Sequence, residues 1–133
     1  MKSLKHGLRL LPAWILTGIT TLGILWLTLA PKPLGNEEIE LFPGADKVAH
    51  ALMFGFLTLT VLVDLARGRS FAKVKPWETL LSAVIVTLFG ALIEVLQRAM
   101  ALGRTFDWFD ILADGTGAFL VAIIWIVGVK VNR

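Results

Sequence analysis

Asp107, Asp110 and Asp114 stand at i, i+3 and i+7 in the stretch ALGRTFDWFDILADGTGAFLVAIIWIVGV, residues 101–129. Asp46 and His50 stand at i and i+4, with Lys47 between them. Glu94 and Gln97 stand at i and i+3, with Arg98 one turn beyond Glu94. Residues three or four apart lie above one another on a helix, so each set occupies one face. Carboxylates are hard oxygen ligands. Asp114, Glu94 and Asp110, with His50 and Gln97 nearby, suit a divalent cation such as Mg²⁺, Mn²⁺ or Ca²⁺. Arg104 as a fork and Lys47 as a point charge suit a phosphate. Gln97, Asp46 and Asp107 complete the candidate substrate contacts. His50 could move a proton near neutral pH, which makes His50, Glu94 and Asp110 the candidate catalytic set. The chain carries no HExxH and no GxSxG. It has no cysteine, which excludes disulfides, thiol chemistry and thiolate metal sites.

The elements that must position these residues are apolar. The chain has 133 residues, is 56% hydrophobic and has a mean hydropathy of +0.77. Soluble domains sit nearer ~45–50% apolar. The excess falls in four blocks, Leu10–Ala30, Val48–Ala66, Thr79–Leu96 and Ile111–Val129. Each comes near the ~20 residues that cross ~30 Å of hydrocarbon. The expectation is one all-α membrane domain over residues 1–133. It comprises an antiparallel bundle of four transmembrane helices, with spans at about 10–30, 47–66, 78–98 and 108–129. The first block is too long for the ~7–15 residue apolar core of a signal peptide and reads as a retained span. Pro12 and Pro76 fall in the first turns of the first and third helices, where a missing N–H costs little. Gly18, Gly23, Gly55, Gly90, Gly115 and Gly117 read as small residues that let helices approach.

Basic residues set the expected orientation. Lys2, Lys5 and Arg9 precede the first block, Arg67, Arg69, Lys73 and Lys75 follow the second, and Lys130 and Arg133 end the chain. Residues 31–45 hold Glu37, Glu38 and Glu40 against Lys32. By the positive-inside rule both termini and the 67–75 connection are cytoplasmic, and residues 31–46 and 98–109 face outward. The net charge of +3 follows from this rule better than from a nucleic-acid surface. Trp14, Trp77 and Trp125 then fall toward the inner side, and Trp26 and Trp108 toward the outer.

On this topology three segments bring their ionisable residues to the same outward end. In lipid such faces turn toward protein or a water-filled cavity, and the simplest arrangement is one polar pocket between helices two, three and four. Each residue also has a plainer reading. Asp46 and Asp107 fit helix N-caps, and Asp110 answers a helix dipole. Lys47, Arg98 and Arg104 fit interfacial cations, and His50 a hydrogen-bonded packing residue. Asp64 and Glu78, at the other end, fit the basic loop beside them. Glu94 and Asp114 lie deeper, where a charge costs up to ~2.5–3.5 kcal/mol at a span's centre. For them the alternatives are a structural ion-pair network with Arg104 or Lys47, or a functional site.

The order Asp46-Lys47-x-x-His50, Glu94-x-x-Gln97, Arg104-x-x-Asp107-x-x-Asp110-x-x-x-Asp114-x-x-Gly117 resembles the VanZ-like membrane proteins over about residues 40–128. The family commonly carries Asn where this chain has Asp114, so this site is more acidic. The resemblance implies a bacterial cell-envelope protein of the inner membrane, and its founding member is linked to sensitivity to the glycopeptide teicoplanin. It names no reaction. Taken with the residues, it implies a multi-pass protein whose outward site binds or processes a phosphate-bearing lipid, such as a polyprenyl-linked envelope precursor. If it is an enzyme, the reaction is hydrolysis or group transfer on a lipid-linked phosphate. The alternatives are a lipid-headgroup binding or shielding protein without chemistry, and a small ion-coupled transporter.

Overall fold

The computed structural model describes residues 7, 10, 12, 14–29, 45–67, 73–100 and 108–131. Among them run four helices of fifteen residues or more: α1 (Ile15–Leu29), α2 (Ala45–Ala66), α3 (Pro76–Ala99) and α4 (Trp108–Val131). The chain is all-helical over the described residues. The spans Lys47–Ala66, Pro76–Ala99 and Trp108–Val131 are long and apolar enough to cross a membrane, and α1 is shorter and apolar. At ~1.5 Å per residue, the 24 residues of α3 reach about 36 Å. This is a multi-pass membrane protein.

α1 starts later than the apolar block does, although Leu10, ahead of Pro12, is also helical. Pro12 lies before α1 rather than in its first turn, and Trp14 between them takes a positive φ of 62°. Pro76 does occupy the start of α3, where Glu78 accepts a hydrogen bond from the Lys75 N–H at 2.8 Å. Glu78 therefore satisfies an orphan donor at a helix start, a role its place beside a basic loop does not reveal.

α3 and α4 bury mostly small and polar residues and turn most of their large apolar residues outward, while α2 also buries Phe54, Leu57 and Leu62. On α3 the buried stripe is Thr79, Ser82, Ala83, Val86, Gly90, Ile93, Glu94 and Gln97, which keeps the 3.6-residue period. Leu81, Ile85, Leu88, Leu92 and Val95 are exposed on the opposite side. A water-soluble fold would invert this pattern, whereas lipid gives no reason to bury leucine. Buried hydroxyls stay within their own helix: Thr58 Oγ1 donates to the Phe54 carbonyl at 2.9 Å, and Ser82 Oγ to the Glu78 carbonyl at 2.8 Å. These hydroxyls then need no water from the bilayer.

Side-chain contacts fix the relative directions. The starts of α2 and α4 meet through Lys47, His50, Asp110 and Asp114, so these helices run parallel. Gln97, near the end of α3, donates its amide N–H to the Thr28 carbonyl near the end of α1 at 2.7 Å. At the opposite end of the bundle, Asp64 Oδ2 accepts from the Thr17 N–H at 2.9 Å and from Thr17 Oγ1 at 2.7 Å. Arg67 reaches the Pro12 carbonyl, and its Nη1 lies 3.9 Å from Asp64 Oδ1. Asp64 is thus a buried clasp between α1 and α2, beyond its expected role as a partner of the basic loop. The four helices alternate in direction.

Candidate functional site

The site begins with two glycines. A Cβ on Gly117 would strike the Ala51 carbonyl group and would lie 2.7 Å from its carbon. A Cβ on Gly55 would lie 3.2 Å from the Gly117 carbonyl oxygen. Only hydrogen at these positions lets α2 and α4 come so close. The crossing lies about one turn from His50 and Asp114, and it brings those two side chains together across the interface. On the third helix, a Cβ on Gly90 would overlap the Asp114 carboxylate, with the carboxyl carbon at 3.0 Å. Gly90 is therefore the recess in α3 that receives Asp114. Glu94 follows Gly90 by one turn on the same buried face.

The resulting cluster is drawn from three helices. His50 Nδ1 lies 2.9 Å from Asp114 Oδ1. His50 Nε2 lies 3.8 Å from Asp110 Oδ2, and Lys47 Nζ donates to Asp110 Oδ1. One ligand atom each from His50, Glu94 and Asp110 lies within 4.8 Å of the others. Glu94 and Asp114 are each only 1% exposed, His50 4% and Asp110 9%. The Lys47 side chain is 35% exposed and forms the open rim. The Phe54 ring stacks on His50 with centroids 6.3 Å apart and planes 4° apart, and Phe89 tilts against Phe54. The floor of the cluster is therefore apolar, which strengthens the electrostatic interactions above it.

Of the residues singled out by spacing, Lys47, His50, Glu94, Asp110 and Asp114 come together. Asp114, the deepest carboxylate by sequence, meets His50 directly and faces the interior. Gln97 is buried on the same α3 face, with its amide engaged on α1. It ties down a carbonyl that the last turn of a helix leaves open. Arg98 is exposed at the end of α3. Asp46 lies in the first turn of α2, and its side chain is outside the described residues, as are Arg104 and Asp107. Spacing did not single out Gly90 and Gly117 from the other glycines. Gly117 closes the Asp114-x-x-Gly117 pattern, and Gly90 stands one turn before Glu94, so the available signal was their register with the acidic residues.

A family model for VanZ/LLP1 matches residues 4–129. The chain belongs to the VanZ/LLP1 family. The match begins ahead of α1 and takes in all four helices but for the last two residues of α4, a wider extent than the motifs at residues 40–128 imply. No curated protein and no solved structure matches the chain. In this VanZ/LLP1 chain the family motifs are therefore read directly from geometry. Asp46-Lys47-x-x-His50 starts α2, Glu94-x-x-Gln97 ends α3, and Asp110-x-x-x-Asp114-x-x-Gly117 starts α4, all at one end of the bundle.

Proposed function

We propose that this end of the bundle binds the headgroup of a phosphate-bearing envelope lipid, of which a polyprenyl-linked precursor is one class. One arrangement carries the reading. A buried His and three buried carboxylates from three membrane-spanning helices gather at one end, and a partly exposed lysine on the rim pairs with one of the carboxylates. Such a cluster is costly to keep in a span, and interior ionisable residues in membrane proteins mark substrate and ion pathways, proton relays and ligand counter-ions. The rim suits an amphiphile. Val48 and Leu52 beside Lys47, and Trp108, Phe109 and Leu112 beside Asp110, are exposed apolar residues that an acyl or isoprenoid chain could lie against. Lys47 is the described cation placed to meet a phosphate. We place the site on the outward side of the inner membrane, from the basic residues between α2 and α3. Through the family, this reading links the chain to the cell envelope and to glycopeptide sensitivity.

Binding is favoured over ion conduction. Among the described residues, no ionisable side chain lies on any helix between this cluster and Asp64 at the far end. The experiment compares polyprenyl phosphate with the matching polyprenol by native mass spectrometry of the detergent-purified protein. The phosphate should bind at least about tenfold more tightly, a difference of about 1.4 kcal/mol, and K47Q should remove most of that preference. Equal binding of alcohol and phosphate would overturn the headgroup reading.

A further inference from the structure

We propose that His50, Glu94 and Asp110 hold one borderline divalent metal ion of the Mn²⁺ or Zn²⁺ type, with Asp114 as the positioning residue that aims His50 at it. The first observation is convergence. Three donors from three different helices bring one ligand atom each within 4.8 Å of one another, and all three residues are buried. Ligands around a single ion at ~2.0–2.2 Å bond lengths sit roughly 3–3.5 Å apart. Small side-chain rotations close that difference without moving a helix.

The second observation is how His50 is held. His50 Nδ1 lies 2.9 Å from Asp114 Oδ1, so with an ion on Nε2 the Asp114 carboxylate would accept from the Nδ1–H. Nε2, the other ring nitrogen, lies on the side of Asp110, 3.8 Å from its Oδ2, and is the atom that would reach an ion. A carboxylate that holds the distal N–H of a histidine is the usual means of fixing a metal-binding imidazole in tautomer and direction. The Asp114 carboxylate is itself held by the recess at Gly90, where any Cβ would displace it. The orientation of His50 is thus built through two helices.

The donor set selects the ion. One imidazole nitrogen with two carboxylates suits Mn²⁺ or Zn²⁺ better than Ca²⁺, which wants six to eight oxygens, or Mg²⁺, which keeps its waters. Three protein ligands leave at least one position open. An ion there offsets the negative charge that would otherwise repel a phosphate from this cluster, and its open position takes a phosphate oxygen while Lys47 meets another. In this last respect the inference rests on the lipid reading. The binding of the ion itself does not.

The test uses the whole chain in detergent, stripped with a chelator and titrated with Mn²⁺ or Zn²⁺ alone. About one ion per chain should bind, and Mn²⁺ should show magnetic coupling to a histidine nitrogen. E94Q and H50Q should each weaken binding at least tenfold, and H50Q should abolish the nitrogen coupling. D114N should weaken binding by about 10–100-fold, as loss of an orienting partner does, while keeping the nitrogen signal. E78Q, at the other end of the bundle, should bind as the wild type does. The near-isosteric E94Q serves where H50Q fails to fold. No stoichiometric binding of either ion, or binding that E94Q leaves unchanged, would overturn the proposal. An ion that binds while polyprenyl phosphate does not would leave the metal site standing and remove the lipid reading.

Discussion

His50 on α2 and Asp114 on α4 meet through a 2.9 Å contact between Nδ1 and Oδ1, in a part of the chain that three membrane-spanning helices enclose. Both residues are at least nine-tenths buried. Neither group has water to fall back on, so the contact is a structural necessity as well as a chemical one. Substitutions at Asp114 should separate according to whether they keep an acceptor. D114N still offers an oxygen to the His50 N–H and should fold with nearly unchanged stability. D114L leaves that donor buried without its acceptor, at a cost of about 1–3 kcal/mol. Reversible unfolding in mixed micelles measures both. If D114L were as stable as D114N, the pair would hold nothing together.

The glycines should divide into two classes under alanine substitution. Nothing stands within 4 Å of a Cβ placed on Gly23, while one on Gly117 meets the Ala51 backbone. G23A should be neutral or should stabilise by up to about 1 kcal/mol, the helix-propensity difference between the two residues. G117A pushes α4 off α2 and should cost about 1–3 kcal/mol or more, as overpacking does. It should also separate His50 from Asp114 and so weaken any binding at the cluster. Unfolding free energies of the two variants decide this, and equal values would mean that the α2–α4 crossing is looser than drawn.

The sequence made part of this arrangement legible, for physical reasons. The length of an apolar block reports the length of a membrane-spanning helix, so α2, α3 and α4 are legible to within a few residues. The i, i+3 and i+4 spacings report a shared face, so Lys47 with His50, and Asp110 with Asp114, could be read as walls of one site. Spacing along one helix carries no information about what stands opposite. Gly90 is one small residue among many until the Asp114 carboxylate is seen in its recess. Asp64 meets Arg67 from the basic loop that follows it, but its hydrogen bonds come from Thr17, 47 residues away, which no local pattern announces. Gln97 reads as a ligand candidate from its neighbour Glu94, while its amide reaches across to Thr28. The break at Pro12 and Trp14 leaves no mark in hydropathy, which continues through both.

The Asp64 clasp gives a prediction at the end far from the cluster. Its carboxylate is fully buried and accepts two hydrogen bonds from Thr17. Hydrogen bonds to a charged group contribute about 1.5–3 kcal/mol. T17V removes the hydroxyl and keeps the backbone N–H, while D64N weakens both bonds. A double-mutant cycle over T17V and D64N should give a coupling of about 1–2 kcal/mol. The same variants should leave ligand binding at the cluster unchanged. Purely additive effects would show that the hydroxyl contact contributes nothing.

Orientation is decided by one helix labelled at both ends. Lys75 precedes α3 and Met100 follows it, and both are exposed. The 24 residues between them cover about 36 Å, enough to put the two on opposite sides of ~30 Å of hydrocarbon. Lys75 belongs to the group Arg67, Arg69, Lys73 and Lys75, which the positive-inside rule assigns to the cytoplasm. Because the chain has no native cysteine, single cysteines report without background. In intact cells M100C should react with a membrane-impermeant maleimide, and K75C should react only after lysis. Met100 lies at the same end of the bundle as Glu94 and Gln97, so the result also assigns the side on which the cluster opens. The reverse pattern would place the cluster at the cytoplasmic face. A phosphate-bearing lipid would then have to be met in the inner leaflet, and the proposed link to outward-facing envelope precursors would fail while the geometry of the site stood.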